Sequence, residues 1–171
     1  RSKTGLISIY LVFSLITVGF IALPGSHGQP DPGGARAAKT YIVDINGGGD
    51  FTSIQEAIDE AKDGDTINVR DGLYFENNKI NKTLNLIGAG TWRTTINGSR
   101  IMAPVVEITA DRVTVTGITV FYGFKEGILL QNANYCSISN ISCSNNFIGI
   151  GLHDSNYNII ANNTLSKNQL D

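Results

Sequence analysis

The chain has 171 residues, a formal net charge of −2 and two cysteines. That length holds one domain plus a targeting segment. Lys and Arg are scattered and aromatic residues are few, so no basic face exists to neutralise a phosphate backbone, and nucleic-acid binding is not expected. Glycine and asparagine are abundant, as in a chain that turns often and places residues at positive φ. After Glu126 the charged residues are only Asp154, Lys167 and Asp171. A solvent face of Ser, Asn and Thr suggests an extracellular stacked sheet.

Residues 6–23 run without a charge behind Arg1 and Lys3 and stop at Pro24-Gly25. This reads as an export signal or a membrane anchor. A cleaved signal has an apolar stretch of roughly 7–15 residues and a spanning helix about 17–25, so both readings stand. Either places the rest of the chain outside the cytoplasm. The expected organisation is a signal or anchor over 1–28, a Pro/Gly linker over 29–39 (QPDPGGARAAK) and a folded domain over 40–171.

Tyr41 to Ile45 reads as a short strand, and Asn46-Gly47-Gly48-Gly49-Asp50 as the turn that stops it. No Lys-Ser or Lys-Thr follows the glycines, so a phosphate loop is not supported. Ser53-Ile54-Gln55-Glu56 has the form of a capping box, Ser53 accepting from the Glu56 amide and Glu56 reaching back. Ile54, Ala57, Ile58 and Ala61 then form one narrow apolar face, with Gly64 placed to end the helix. A single short helix in a strand-rich chain is expected to close one end of a stacked sheet. Strands follow at Thr66–Val69, Leu84–Gly88, Thr95–Gly98, Val105–Ile108 and along Val113–Val120.

The chain closes on a repeat of 22 residues, 127–148 and 149–170. Gly127, Ile128, Leu130, Asn134, Tyr135, Ile138, Asn140, Ser144 and Asn146 return as Gly149, Ile150, Leu152, Asn156, Tyr157, Ile160, Asn162, Ser166 and Asn168. Strands of three to five residues at this period cannot pair as hairpins. They stack residue n on n+22, in parallel, as a β-solenoid of about five coils from Thr66 onward. Ile128, Leu130, Ile138, Ile141 and Cys143 are expected to face inward beneath Ile150, Leu152, Ile160, Asn163 and Leu165. Asn163 alone interrupts that apolar column. Asn134 over Asn156, Asn140 over Asn162 and Asn146 over Asn168 are expected to form corner ladders.

The segment Gly49-Asp50-Phe51-Thr52-Ser53-Ile54-Gln55-Glu56-Ala57-Ile58, followed by Asp63-Gly64-Asp65-Thr66-Ile67-Asn68-Val69 and Gly72-Leu73-Tyr74, resembles the amino-terminal cap of the pectin-lyase-like right-handed parallel β-helix superfamily. The closing Gly-Ile-x-Leu repeats with Asn-Tyr and paired Asn resemble the periplasmic copper-binding family, accessory proteins of nitrous-oxide reductase. They are also similar to archaeal cell-surface β-helix proteins. The resemblance covers Tyr41 to Asp171. It implies an all-β, right-handed parallel β-helix with a short N-terminal capping helix, preceded by a separate hydrophobic helix. Enzymes and non-enzymes share these segments, so it implies no single activity.

Carbohydrate-active members of that superfamily place Asp, Arg, Lys or His on the outer face of one sheet. The coils here contain a single His, His153 beside Asp154, a weak candidate pair for proton abstraction. A solvated edge pair is the preferred reading, because no third group is evident and neighbours in a strand point to opposite faces. Cys136 and Cys143 read as free, mostly buried thiols, and neither a metal site nor a cofactor is expected. Four sequons occur, at Asn81, Asn97, Asn140 and Asn162. Asn81 and Asn97 are the glycan candidates, the other two being explained as ladder residues. Tyr135 and Tyr157 repeat at 22 and are the candidate ligand-binding pair, with Tyr122, Phe124 and Phe147 as further exposed rings for stacking on sugars.

The expected function is therefore an exported or surface-anchored β-helix module that binds extracellular polysaccharide or serves the cell envelope structurally, non-catalytic in the residues shown. The alternatives are an amino-terminal fragment of a polysaccharide lyase, epimerase or hydrolase, and a periplasmic accessory protein of metalloenzyme maturation. Expected partners are polysaccharide, a membrane through residues 6–23 if these are retained, and a second copy through the carboxy-terminal coil.

Overall fold

The computed structural model describes residues 36–98 and 101–170. The expected signal or anchor, and residues 29–35 of the expected linker, lie outside them. Strand β1 (Thr40–Val43) is followed by the only helix among the described residues, α1 (Ile54–Glu60). Strands then recur in threes. The first coil has β2 (Thr66–Val69), β3 (Gly72–Phe75) and β4 (Asn78–Ile80). The second has β5 (Asn85–Gly88), β6 (Thr94–Asn97) and β7 (Val106–Ile108). The third has β8 (Thr114–Thr116), β9 (Thr119–Phe121) and β10 (Glu126–Gln131). The fourth has β11 (Ser137–Ser139), β12 (Ser142–Ser144) and β13 (Ile148–His153). Strands β14 (Ile159–Ala161) and β15 (Thr164–Ser166) belong to the fifth.

Every first strand joins sheet A (β1-β2-β5-β8-β11-β14), every second sheet B (β3-β6-β9-β12-β15) and every third sheet C (β4-β7-β10-β13). All pairings within them are parallel. The chain is a three-sided parallel β-solenoid of about six turns, the five expected from Thr66 onward plus the one begun by β1. Sheet A pairs Thr66 with Asn85, Asn85 with Thr114, Thr114 with Ser137 and Ser137 with Ile159. The early coils thus vary in length, and only the last keeps the 22-residue step. The run Val113–Val120, read as continuous, is two strands separated by a corner at Gly117, where φ is +71°.

One apolar column lines each wall. Sheet A stacks Ile67, Leu86, Val115 and Ile138, sheet B Tyr74, Ile96, Val120 and Cys143, and sheet C Ile80, Ile108 and Leu130, all fully buried. Each such side chain is worth about 1.5–3 kcal/mol removed from water, gross of ordering entropy. The repeated glycine follows from the interior. A Cβ on Gly127 would lie 2.2 Å from Cys143 Sγ, so only glycine admits the sulfur there.

At the amino-terminal end, Ile54, Ala57 and Ile58 of α1 are fully buried against the core. The capping box forms by half. Ser53 Oγ accepts from the Glu56 amide at 3.3 Å, but the reciprocal carboxylate is that of Glu76, which takes the Ile54 and Gln55 amides at 3.0 and 2.9 Å. The helix ends at an Ala61 cap rather than at Gly64. Lys82 Nζ donates to the carbonyls of Ile58, Asp59 and Ala61 at 2.9, 2.6 and 2.8 Å. An anion at the N-terminus and a cation at the C-terminus both complement the helix dipole. The free edge of β1 is occupied too, since Ile42 O accepts from the Asp50 and Phe51 amides.

The corners obey one rule. Arg112, Gly117 and Tyr122 take positive φ in the third coil, Tyr135, Asn140 and Asn145 in the fourth, and Tyr157, Asn162 and Lys167 in the fifth. These are left-handed positions five residues apart, open to Gly and Asn at the lowest cost. The residue after each is directed back into the coil. In the fifth coil all three such residues are asparagines, and each clamps the coil beneath. Asn158 bridges the Cys136 amide and the Ala133 carbonyl, Asn163 the Ile141 amide and the Ile138 carbonyl, and Asn168 the Asn146 amide and the Cys143 carbonyl, all at 2.7–3.0 Å. Asn163 therefore interrupts the apolar column because its amide satisfies buried backbone. Of the expected ladders, Asn146 meets Asn168 through their side chains at 3.1 Å, and Asn134 Oδ1 accepts from the Asn156 amide. Asn140 instead donates to Thr116 Oγ1 at 3.4 Å.

Candidate functional site

The corner between sheets B and C carries two outward columns across three coils. One is Tyr122, Asn145 and Lys167, held by the left-handed backbone just described. The other is Phe124, Phe147 and Gln169, two residues further along each coil. Their register is fixed by Asn146 Oδ1 on the Gly123 amide (2.8 Å), by the Phe147 amide on Lys125 O (3.0 Å) and by the Gln169 amide on Asn146 O (3.2 Å). Together with Met102 they line a cleft of about 580 Å³. Phe124 is 53 % and Phe147 44 % exposed. Tyr122 packs against Phe121 with ring centroids 4.6 Å apart. Lys167 is the only charged side chain lining the cleft, and no carboxylate among the described residues forms an ion pair with it. Aromatic faces bordered by amides and one cation suit the apolar face and hydroxyl rim of a sugar.

The structure thus brings together three of the rings singled out in the sequence and leaves Tyr157 elsewhere. Asn145, Lys167, Gln169 and Met102 were not expected in a sugar-binding surface. The 22-residue period itself places Lys167 on Asn145 and Gln169 on Phe147, so the signal was present for all but Met102.

Tyr135 and Tyr157 occupy the corner between sheets C and A. Their rings stack at 5.0 Å with an interplanar angle of 8°, and the Arg112 guanidinium lies 5.6 Å from the Tyr135 ring centre. This is a cation-capped aromatic ladder, one rung per coil. Both faces of Tyr135 are thereby occupied, which leaves its edge and the 75 % exposed Tyr157 for contact with a ligand.

His153 and Asp154 lie at the end of β13. Asp154 follows the strand at φ +49°, and that turn swings its carboxylate to 3.0 Å from His153 Nδ1 despite the alternation of strand side chains. Gln131 Nε2, in the coil beneath, lies 2.8 Å from the same nitrogen. His153 thus has two orienting neighbours, both near Nδ1. His153 borders a cleft of about 460 Å³ on the outer face of sheet C, with Glu107, Lys125 and Glu126. A third cleft, of about 550 Å³ near β2, contains Arg70 and Arg93. Each is already paired, with Asp44 at 2.8 Å and Asp71 at 2.9 Å, so the charges there are internally satisfied.

Cys136 and Cys143 form no disulfide among the described residues and are buried, and burial pushes the Cys136 thiol up. No group of three or more His, Cys, Asp or Glu side chains among the described residues has metal-binding geometry. No described helix is long and apolar enough to cross a membrane.

The chain is 20 % identical to an alginate lyase from Paenibacillus sp. str. FPU-7, with a TM-score of 0.57 over 73 % of this chain and 44 % of that one. It overlays on a pectin methylesterase from carrot with a TM-score of 0.56 at 16 % identity, over 72 % of this chain and 43 % of the other. These likenesses show the fold alone, a parallel β-helix. At the sequence level, the chain is 34 % identical over 114 residues to a cell surface glycoprotein of Methanothermus fervidus. That match takes in 66 % of this chain and 19 % of the relative, so the chain spans about a fifth of that protein's length. No family model matches the chain.

Proposed function

We propose that this β-helix is a module of the cell surface that contacts extracellular polysaccharide through the corner between sheets B and C. The observation that carries the reading is the cleft of Tyr122, Phe124 and Phe147, three rings gathered beside the Asn145 and Gln169 amides and Lys167, with which no described carboxylate forms an ion pair. The surface-glycoprotein relative supports the location, and the fold shared with alginate- and pectin-acting proteins supports the ligand class. Tyr135 and Tyr157 are a second contact in the same proposal. Attachment through residues 6–23, and association of copies through the exposed Leu152 of the fourth coil and Ile159 and Ile160 of the fifth, also belong to it. Light scattering across a concentration series tests the association, which a strictly monomeric species opposes. The test of the ligand is a polysaccharide array probed with the protein, with Phe124→Ala/Phe147→Ala and with Tyr135→Ala/Tyr157→Ala. Selective binding lost in the first variant supports the cleft, loss only in the second moves the site to the tyrosine ladder, and no binding by folded protein removes the reading.

A second reading, an enzyme acting on polysaccharide, is favoured by one observation, the Asp154 carboxylate 3.0 Å from His153 Nδ1. If Nδ1 carries the proton and donates it to Asp154, Nε2 is left as the basic nitrogen, whereas a hydrogen bond from Gln131 Nε2 requires the opposite tautomer. Chain shortening of alginate or pectin that disappears in His153→Ala supports this second reading, and the absence of any shortening removes it.

A further inference from the structure

We infer that Asn81 is a site of N-linked glycosylation, the sequon of this domain that its fold leaves fit to carry a sugar. The inference rests on the surface location proposed above, but not on polysaccharide binding. A sequon tolerates a glycan in the folded state only when its asparagine projects into solvent, its amide is not needed by the fold, and no neighbouring coil crowds the attachment point. The four sequons differ on these three conditions.

Asn81 meets all of them. It follows β4, whose last residue, Ile80, is inward and fully buried, so Asn81 points outward and is exposed. Its side chain hydrogen-bonds to no described residue. The rest of the sequon is rigid. Lys82 Nζ is held by the carbonyls at the end of α1, the Thr83 amide donates to Asp63 Oδ1 at 2.9 Å, and Thr83 Oγ1 donates to Asp111 O at 2.9 Å. A free amide is therefore presented from a fixed base.

Asn97, the other sequence candidate, is half-buried in β6 in the interior of sheet B, paired with Phe75 on one side and Phe121 on the other. Asn140 and Asn162 are exposed but share one corner, a single coil apart, which places their backbones at about the 4.8 Å strand spacing. A sugar on one lies over the other, and the Asn140 amide also donates to Thr116.

The full chain, directed into the secretory route of an N-glycosylating host by a heterologous signal, tests this. Enzymatic deglycosylation in heavy-oxygen water followed by peptide mass spectrometry marks each asparagine that carried sugar. The expected result is Asn81 as the principal occupied site in the folded, secreted fraction, and loss of that glycan mass in Asn81→Gln with an unchanged melting temperature. Secreted, folded protein with Asn81 bare, or with Asn97 occupied in preference to it, overturns the inference. A protein glycosylated at Asn81 that binds nothing on the polysaccharide array removes the ligand reading and leaves this one standing.

Discussion

Replacing Asn163 by leucine restores the unbroken apolar column that the repeat leads one to expect, and the structure says that this destabilises the domain. Asn163 Oδ1 accepts from the Ile141 amide and Nδ2 donates to the Ile138 carbonyl, both at 2.9 Å. Ile141 is 1 % exposed, so its stranded amide has little access to water. Each lost bond is worth about 1 kcal/mol, and an unsatisfied buried donor costs about 1–3 kcal/mol. Leucine at a half-buried position returns roughly 1 kcal/mol by burial. The net loss is therefore about 1–2 kcal/mol, and for Asn163→Ala, which regains nothing, about 2–3 kcal/mol. At roughly 3 °C per kcal/mol for a domain of this size, the leucine variant melts about 3–6 °C below the parent. Calorimetry with urea titration measures both. A leucine variant as stable as the parent, or more stable, would falsify the clamp argument.

Other consequences follow from the same contacts. Burial by itself would raise the Asp65 carboxyl, but the Lys39 and Lys62 amides and the Arg36 guanidinium outweigh it and hold it at about 2. An unfolded aspartate titrates near about 3.9, so the Asp65 contribution is whole above about pH 4 and is lost as pH falls toward 2. Asp65→Asn is expected to cost about 1–3 kcal/mol at neutral pH and to show a shallower loss of stability across that window in denaturant titrations. Lys82→Met, which keeps the stem and removes three charge-assisted bonds to the end of α1, is expected to cost about 2 kcal/mol. Hydrogen exchange should then quicken at the α1 amides before it does in sheets B and C, and uniform quickening counts against a local clamp. Both thiols should resist a water-soluble disulfide reagent in the folded protein and react together, two per chain, only on denaturation.

The fold was legible because the last two coils keep a constant period, and a constant period states register directly. Ile128 over Ile150 and Cys143 over Leu165 are read off by adding 22, and the structure pairs them so. The earlier coils were harder. The steps from Thr66 to Asn85 and from Asn85 to Thr114 differ by ten residues, and β4, only Asn78–Ile80, has too few residues to show alternation. The helix was legible from its own sequence, but its charged clamps were not, since Glu76 and Lys82 act across more than twenty residues of chain. The candidate cleft was half legible. Its rings were visible as exposed aromatics, whereas its amides and Lys167 look like ordinary corner residues until the register stacks them. The contact between His153 and Asp154 was not legible for a local reason. Strand alternation separates it from Asp154, and only the left-handed turn at Asp154 brings the carboxylate back.

The central claim is that the corner built from Phe124, Phe147 and their amides holds sugar. Titration calorimetry of the protein against the best polysaccharide from the array, repeated with Phe124→Ala/Phe147→Ala, tests it most directly. Removing both rings should cost roughly 1–3 kcal/mol, a loss of about 5- to 150-fold in affinity, with melting temperature nearly unchanged because both are solvent-exposed. Affinity that survives in a folded double variant contradicts the account and places the binding surface elsewhere on the helix.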